Sequence, residues 1–203
     1  MSLPIEYRRL GPDEPVEPVA DLITDAFIDY PVMVGAFGTA PGDRRDWLRR
    51  FARTIIENRL LNGDPCLVAW FGRAPAGAAL LSRPWQETPQ ELRDRVTKLL
   101  AEAGPETLDF FTSFLEQIQS VEMPGKHVWL GVLGVSPDFQ GKGIGRKLVE
   151  ETVGYARSVP GVVGIALDTE EAKNVSIYEA FGLKTIGVRS LGDMPIHVMW
   201  RAV

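Results

Sequence analysis

Ile5, Tyr7 and Arg9 alternate along the opening of the chain, a spacing that predicts a short strand ended by Gly11-Pro12. Val19, Leu22/Ile23 and Ala26/Phe27 then recur at helical spacing, and Pro31 closes that helix. Trp47, Phe51 and Ile55 stand four apart and predict a second helix, terminated by Gly63 and Pro65. Two dense apolar runs, Cys66–Phe71 and Ala76–Leu81, flank Gly72-Arg73-Ala74-Pro75, which predicts a β-hairpin. Thr88-Pro89-Gln90-Glu91 has the form of a capping box, with Thr88 capping and Glu91 reaching back. The stripe Leu92, Val96, Leu99/Leu100 runs on from it to Gly104, and Leu108, Phe111, Phe114/Leu115 and Ile118 predict a further helix whose aromatics pack in the core.

From His127 the pattern changes to dense strands and well-formed helices. His127–Val135 predicts a strand, Gly141–Ser158 a helix with Ile144, Leu148 and Thr152 inward, and Val162–Leu167 another buried strand. A helix near Asn174–Phe181 and strands near Leu183–Val188 and Ile196–Trp200 follow. Strand, helix and strand in succession, with a hairpin upstream, predict an α/β (α+β) fold with a mixed central sheet flanked by helices. No linker or repeat interrupts the pattern, so residues 1–203 are read as a single domain.

Composition narrows the function classes. The formal net charge is −5, against the basic footprint that nucleic-acid phosphates demand. No apolar run approaches the roughly 20 residues that cross a bilayer, and the first ten residues hold no continuous apolar core of a signal peptide. Cys66, the only cysteine, has no intrachain disulfide partner, which fits a reducing compartment. A cytoplasmic enzyme acting on a small molecule, without nucleic acid, membrane or metal, is the expectation; the acidic balance favours a cationic substrate.

The segment Val135-Ser136-Pro137-Asp138-Phe139-Gln140-Gly141-Lys142-Gly143-Ile144-Gly145-Arg146 carries the chemistry. Three alternating glycines between a strand and a helix leave the helix's unpaired N–H groups open to an anion, and Lys142 and Arg146 add positive charge. A tight strand-to-helix turn with solvated cations is the other reading of the same residues. Neither rival phosphate loop fits: no glycine lies five positions before a Gly-Lys-Ser/Thr, and the sixth position from Gly141 is Arg146, where a dinucleotide fingerprint needs glycine.

Residues 135–145 resemble the acetyl-CoA signature of the GNAT N-acetyltransferase superfamily, Gln/Arg-x-x-Gly-x-Gly/Ala, met here by Gln140, Gly143 and Gly145. The superfamily's second piece is matched by Asn174-Val175-Ser176-Ile177-Tyr178-Glu179-Ala180-Phe181-Gly182-Leu183. Beyond these motifs the chain is loosely similar to puromycin-type small-molecule acetyltransferases, from Ala26–Pro31 to Met199–Arg201.

The resemblance implies a splayed strand against which the pantetheine arm of acetyl-CoA lies, at Leu133, Gly134 and Val135, with a backbone N–H near Leu133 aimed at the thioester oxygen. It implies that Gln140, Gly141, Lys142, Gly143, Ile144, Gly145 and Arg146 hold the cofactor's phosphates. Asn174 would bond the pantetheine arm or cap its own helix, and Tyr178 would protonate the departing thiolate or simply cover the core. Gly131 and Gly134 suit a bulge or a close backbone approach. Asp29 and Tyr30 match a region lining the acceptor site in relatives, with Trp129 a further substrate contact. The positions where some relatives place a base hold Trp129 and Gly131, leaving His127, Glu122, Asp29 and His197 as candidates. The expected reaction is transfer of acetyl to a small-molecule primary amine by direct attack on the thioester; acetylation of a protein or peptide, or non-catalytic acyl-CoA binding, are the alternatives. The helices between Thr88 and Ser120 would form a lid over the acceptor pocket. The edge strands permit a monomer or a homodimer.

Overall fold

A computed structural model describes residues 4–203; residues 1–3, which belong to the span read above as one domain and to the opening read for a signal peptide, lie outside the described residues. The elements run β1 (Ile5–Arg9), α1 (Glu17–Phe27), α2 (Pro31–Phe37), α3 (Arg44–Leu61), β2 (Cys66–Phe71), β3 (Ala74–Ser82), α4 (Gln90–Ala103), α5 (Pro105–Gln119), β4 (His127–Val135), α6 (Ile144–Ser158), β5 (Gly164–Thr169), α7 (Ala172–Ala180), β6 (Lys184–Leu191) and β7 (Met194–Ala202). The strands form a seven-stranded mixed sheet in the order β1-β2-β3-β4-β5-β7-β6. All neighbours pair antiparallel except β4 and β5, whose parallel crossover passes through α6.

The two faces are covered differently. Helix α6 buries Ile144, Leu148, Val149, Val153 and Ala156 against Leu67, Val128, Leu130, Ile165 and Leu167 on one face. On the other, α1 and α3 cover β2–β4 through Val19, Leu22, Ile23, Ala52 and Ile56. Helices α2 and α5 extend that cover toward β7, with Phe37, Phe111 and Phe114 packed on Ile196 and Val198. An exposed zipper joins α1 to α3, where Asp21 pairs with Arg49, Asp25 with Arg45, and Glu17 with Arg53 at 3.7 Å.

Three local expectations are corrected. Pro31 opens α2 as well as ending the approach from α1: with its fixed φ it suits a first helical position, and it holds Tyr30 extended at φ −71°, ψ 137°. The capping box does not form, because Pro89 takes the N-cap position and the Thr88 carbonyl instead accepts from Arg93 Nη1. Helix α6 begins at Ile144 and not Gly141, because Gly141 and Gly143 adopt φ +73° and +78°, outside helical space.

The sheet is split at one place, and this split positions the site. Pairing between β4 and β5 covers only His127–Trp129 with Gly164–Ala166. Beyond Trp129, β4 follows β3, with Leu81 opposite Leu130 but Leu80 opposite Val132, so Gly131 is the extra residue of a bulge. Beyond Ala166, β5 follows β7. Gly134 lies under α1, where a Cβ would meet Ala26 Cβ at 3.3 Å and Phe27 Cε2 at 3.4 Å. Both glycines therefore occupy the bulge and close-approach positions expected of them.

Candidate active site

The split opens a cleft of about 1260 Å³, walled by α1–α5 on one side and by β4, the glycine loop, β5 and α7 on the other. The bond from Ser136 N to Ala76 O, 3.0 Å, fixes which backbone groups face it. Antiparallel ladders alternate, so Gly134 and Val132 also bond toward β3, while the N–H and C=O groups of Leu133 and Val135 turn away from β3 into the gap. Gln140 Nε2 donates to the Val135 carbonyl at 3.3 Å, holding the loop against the strand.

The loop itself is short of internal partners. Helix α6 has Gly143 at its N-cap with no side-chain cap bond, so the N–H groups of Ile144, Gly145 and Arg146 are unpaired donors at the positive end of a 15-residue helix. Nothing within the protein lies within 4 Å of where a Cβ would stand on Gly141 or Gly143. Their backbone conformation calls for glycine, and the space in front of them is open. Arg146 donates to the Ala180 carbonyl at 3.1 Å and stacks over Phe181, which sets it beside the cleft. Lys142 turns outward, donating to the Asp138 carbonyl at 2.8 Å over the Phe139 ring, and does not line the cleft. This loop, with the free edge of β4, fits a diphosphate bound to helix amides and an extended arm laid along Leu133–Val135.

Tyr178, Asn174 and Ile177 enter the cleft from α7. Asn174 is not the N-cap, a place taken by Glu171; it sits in the first turn, and its Nδ2 donates to Glu171 Oε2 at 3.3 Å. The Tyr178 phenol is pushed well above its usual value, chiefly by burial and further by the carboxyls of Asp168 and Glu170. It therefore keeps its proton throughout the physiological range.

Asp168 and Glu170 were not singled out in the sequence as chemical groups, yet they form the most perturbed titratable cluster in the cleft. Burial raises both carboxyls, and the charge of Asp168 raises Glu170 further, so that the two titrate as one pair that retains a proton well above the usual carboxyl range. Glu170 is 5% exposed and its Oε1 faces no donor, a place untenable for a lone carboxylate. The Tyr30 hydroxyl lies 2.9 Å from Thr169 Oγ1 and accepts from Glu170 N at 3.2 Å. The sequence hides this cluster because Asp168 simply continues the apolar run Gly164–Leu167 at the end of a buried strand.

The other expected contacts divide. Tyr30 and Trp129 line the cleft. Asp29 does not: it is on the surface, paired with Arg44 at 3.1 Å. Of the candidate bases, Glu122 is exposed and His197 sits in the β6–β7 ladder, both away from the cleft lining. His127 borders the cleft but is held by the Gly125 carbonyl, 2.8 Å from Nδ1, between Trp129 and Trp200. Helices α4 and α5 contribute Val96, Leu100, Phe111, Phe114, Leu115 and Ile118 to the cleft wall, so the aromatics expected in the core serve both roles.

A strand split beside a glycine-opened helix, with a tyrosine from the following helix, thus gathers the residues of both sequence motifs around one cleft. The family model described as "Acetyltransferase (GNAT) family" matches residues 22–183, and the chain belongs to that family, whose members use acetyl-CoA. Among curated proteins, the N-alpha-acetyltransferase RimI of Mycobacterium tuberculosis is 37% identical over 57 residues; the match spans 28% of this chain and only 35% of that protein. Among solved structures, arylalkylamine N-acetyltransferase 2 of Aedes aegypti superposes with a TM-score of 0.69 at 17% identity, covering 98% of each chain. The polyamine N-acetyltransferase of Drosophila melanogaster, which forms N-acetylagmatine, gives a TM-score of 0.66 at 16% identity, covering 98% of this chain and all of that one. At these identities the structural likenesses establish the fold. Among the described residues, no helix is long and apolar enough to cross a membrane, and no cluster of ligating side chains fit for a metal occurs.

Proposed function

We propose that the chain acetylates a primary amine of a small molecule, with acetyl-CoA supplying the activated acyl group as a thioester. The observation that carries this reading is the outward turn of Leu133 and Val135 beside the uncapped start of α6. One feature supplies backbone donors for the arm and thioester oxygen, the other amides for the phosphates of the same molecule. Fixed backbone donors aimed at developing negative charge are worth roughly 3–4 kcal/mol in other enzymes.

Asp168 supplies the negative charge that attracts the acceptor's ammonium, and the Asp168–Glu170 pair receives the proton that ammonium must lose before it can attack. The Tyr178 hydroxyl, held protonated, gives its proton to the departing sulfur. Holding the two reactants together contributes the larger share, roughly 7–11 kcal/mol where geometry is good. Asn174 and Gln140 orient the arm, and Tyr30 and Trp129 bound the acceptor space.

The enclosing walls of α4 and α5 favour a small acceptor over a peptide. The likeness to RimI favours a peptide N-terminus, but spans little of the chain. Release of free CoA thiol from acetyl-CoA, followed over a panel of small amines and short peptides, decides between them. Turnover on small amines supports the proposal. Turnover confined to peptides, or no calorimetric binding of acetyl-CoA by folded protein, overturns it.

A further inference from the structure

Helix α3 carries six arginines, and Arg44, Arg45, Arg49, Arg50 and Arg53 each pair with a carboxylate. Arg59 pairs with none among the described residues, and its Nε is buried with no hydrogen-bond partner. It continues the inward stripe of α3, following Ile55 by four residues and Ile56 by three, and so reaches the cleft instead of solvent. Asp64, whose charge it feels, is engaged elsewhere, accepting from Arg83 Nε and Asn62 Nδ2, each at 2.7 Å. A guanidinium keeps its charge even when buried, and a buried charge without a partner is costly. Such a group calls for a ligand.

Its place in the cleft gives the ligand's position. A Cβ on Gly131 would lie 3.5 Å from Trp129 Cδ1 and 3.6 Å from Arg59 Nη2, so the indole and the guanidinium both border the β4 bulge. Trp129 and Asp168 lie on the same side of the sheet: Asp168 pairs with Val198, and Val198 packs in the cluster that Trp129 borders. The cleft thus offers a positive group from α3 and a negative group from β5 to one occupant.

We infer that the acceptor is an amine that also carries a carboxylate, and that Arg59 binds that carboxylate while the acid pair faces the ammonium. This rests on the amine-acetylation reading above and adds the acceptor's second charge. A fork of guanidinium N–H groups suits a carboxylate better than a neutral acceptor, and rejects an analogue that leaves it unpaired.

The test uses matched acceptors that differ only in the carboxylate: phenylalanine against phenethylamine, tryptophan against tryptamine, and 4-aminobutyrate against propylamine. The wild-type protein is expected to prefer the carboxylated member of at least one pair by about tenfold or more in kcat/KM. Arg59→Met is expected to lower that member about a hundredfold while moving its partner and acetyl-CoA affinity less than about threefold; Arg59→Lys falls between. Preference for the decarboxylated member in all pairs, or an equal loss for both members in Arg59→Met, overturns the inference. A second measurement needs neither turnover nor the variant: 3-phenylpropionate should bind the acetyl-CoA-loaded wild-type protein by calorimetry, and 3-phenylpropanol should bind at least tenfold more weakly. Equal binding, or none, also overturns it. Absence of turnover on every acceptor, with carboxylate binding intact, counts against the transferase reading and leaves the Arg59 site standing.

Discussion

Replacing Gly143 with alanine separates the cost of the loop's shape from the cost of what the loop holds. Gly143 has φ +78° and ψ 5°, so an alanine there sits in the left-handed region at roughly 1–2 kcal/mol. No protein atom lies within 4 Å of the added Cβ, so no packing clash is added to that strain. With an unfolding entropy near ~2.1 cal/mol/K per residue over 203 residues, the melting temperature should fall by about 2–5 °C. The strain falls on the N-cap that sets the unpaired amides of α6, where each hydrogen bond to a charged phosphate is worth about 1.5–3 kcal/mol. Acetyl-CoA affinity by calorimetry should therefore fall at least tenfold. Two neighbours calibrate the experiment. Gly145→Ala meets only Val135 Cγ2, at 3.7 Å, and its position admits alanine in the family's pattern, so it should keep affinity within about threefold. Gly154→Ala, exposed in the interior of α6 with no protein atom nearby, should gain roughly 0.5–1 kcal/mol of stability with affinity unchanged. If Gly143→Ala lost its few degrees of melting temperature yet bound acetyl-CoA like the wild type, the loop would not be the phosphate cradle.

Tyr178→Phe should lower turnover tenfold or more, with acetyl-CoA affinity intact by calorimetry; equal turnover would remove the phenol from the chemistry. Glu170→Gln should change the pH dependence of stability. Its folded value is raised, so the wild type's contribution is fully present below the unfolded carboxyl value of 4.5 and is lost as pH climbs through the folded one. Chemical denaturation should then show the variant gaining on the wild type between pH 5 and 9; parallel curves would mean Glu170 is ionised and satisfied in the fold. Tyr30→Phe strips the Glu170 N–H of its partner and Thr169 Oγ1 of a bond, and should cost about 1–3 kcal/mol of unfolding free energy; a loss under 0.5 kcal/mol would show that water replaces the phenol.

Elements with strong periodicity were legible in the sequence: β4 occupies His127–Val135 as expected, and α3, α5, α6 and the hairpin differ only at their ends. The shape of the glycine loop before α6 was legible too, because its glycines mark backbone conformations that few other residues adopt. What escaped depends on chain segments far apart in sequence. Helix α2 is a seven-residue piece, too short for its period to stand out after Pro31. The acid pair is defined by Tyr30, which reaches Thr169 and Glu170 from 139 and 140 residues away. Asp29 and Tyr30 are adjacent and looked equivalent, but the turn into α2 sends one to Arg44 on the surface and the other into the cleft. Arg59 went unremarked because one arginine among six on a helix has no distinguishing signal; only the partners of the other five set it apart.

The split between β4 and β5 brings together the groups proposed for the cofactor and those proposed for the acceptor. A parallel pair that continued past Trp129 would have satisfied Leu133 and Val135 with β5, leaving no donors for an acyl arm. It would also have covered the end of β5. Because β4 leaves, the backbone N–H of Glu170 turns to the Tyr30 hydroxyl for the partner a neighbouring strand would have given it. That bond draws the turn between α1 and α2 across the gap and closes the acid pair away from bulk water, where a carboxyl retains a proton and charges interact more strongly than in water. The bulge at Gly131, which starts the divergence, is also where Trp129 and Arg59 meet. One departure from regular pairing thus exposes the β4 donors proposed for the thioester, buries the acid pair proposed to take the amine's proton, and makes room for Arg59, the cation proposed to bind the acceptor's carboxylate.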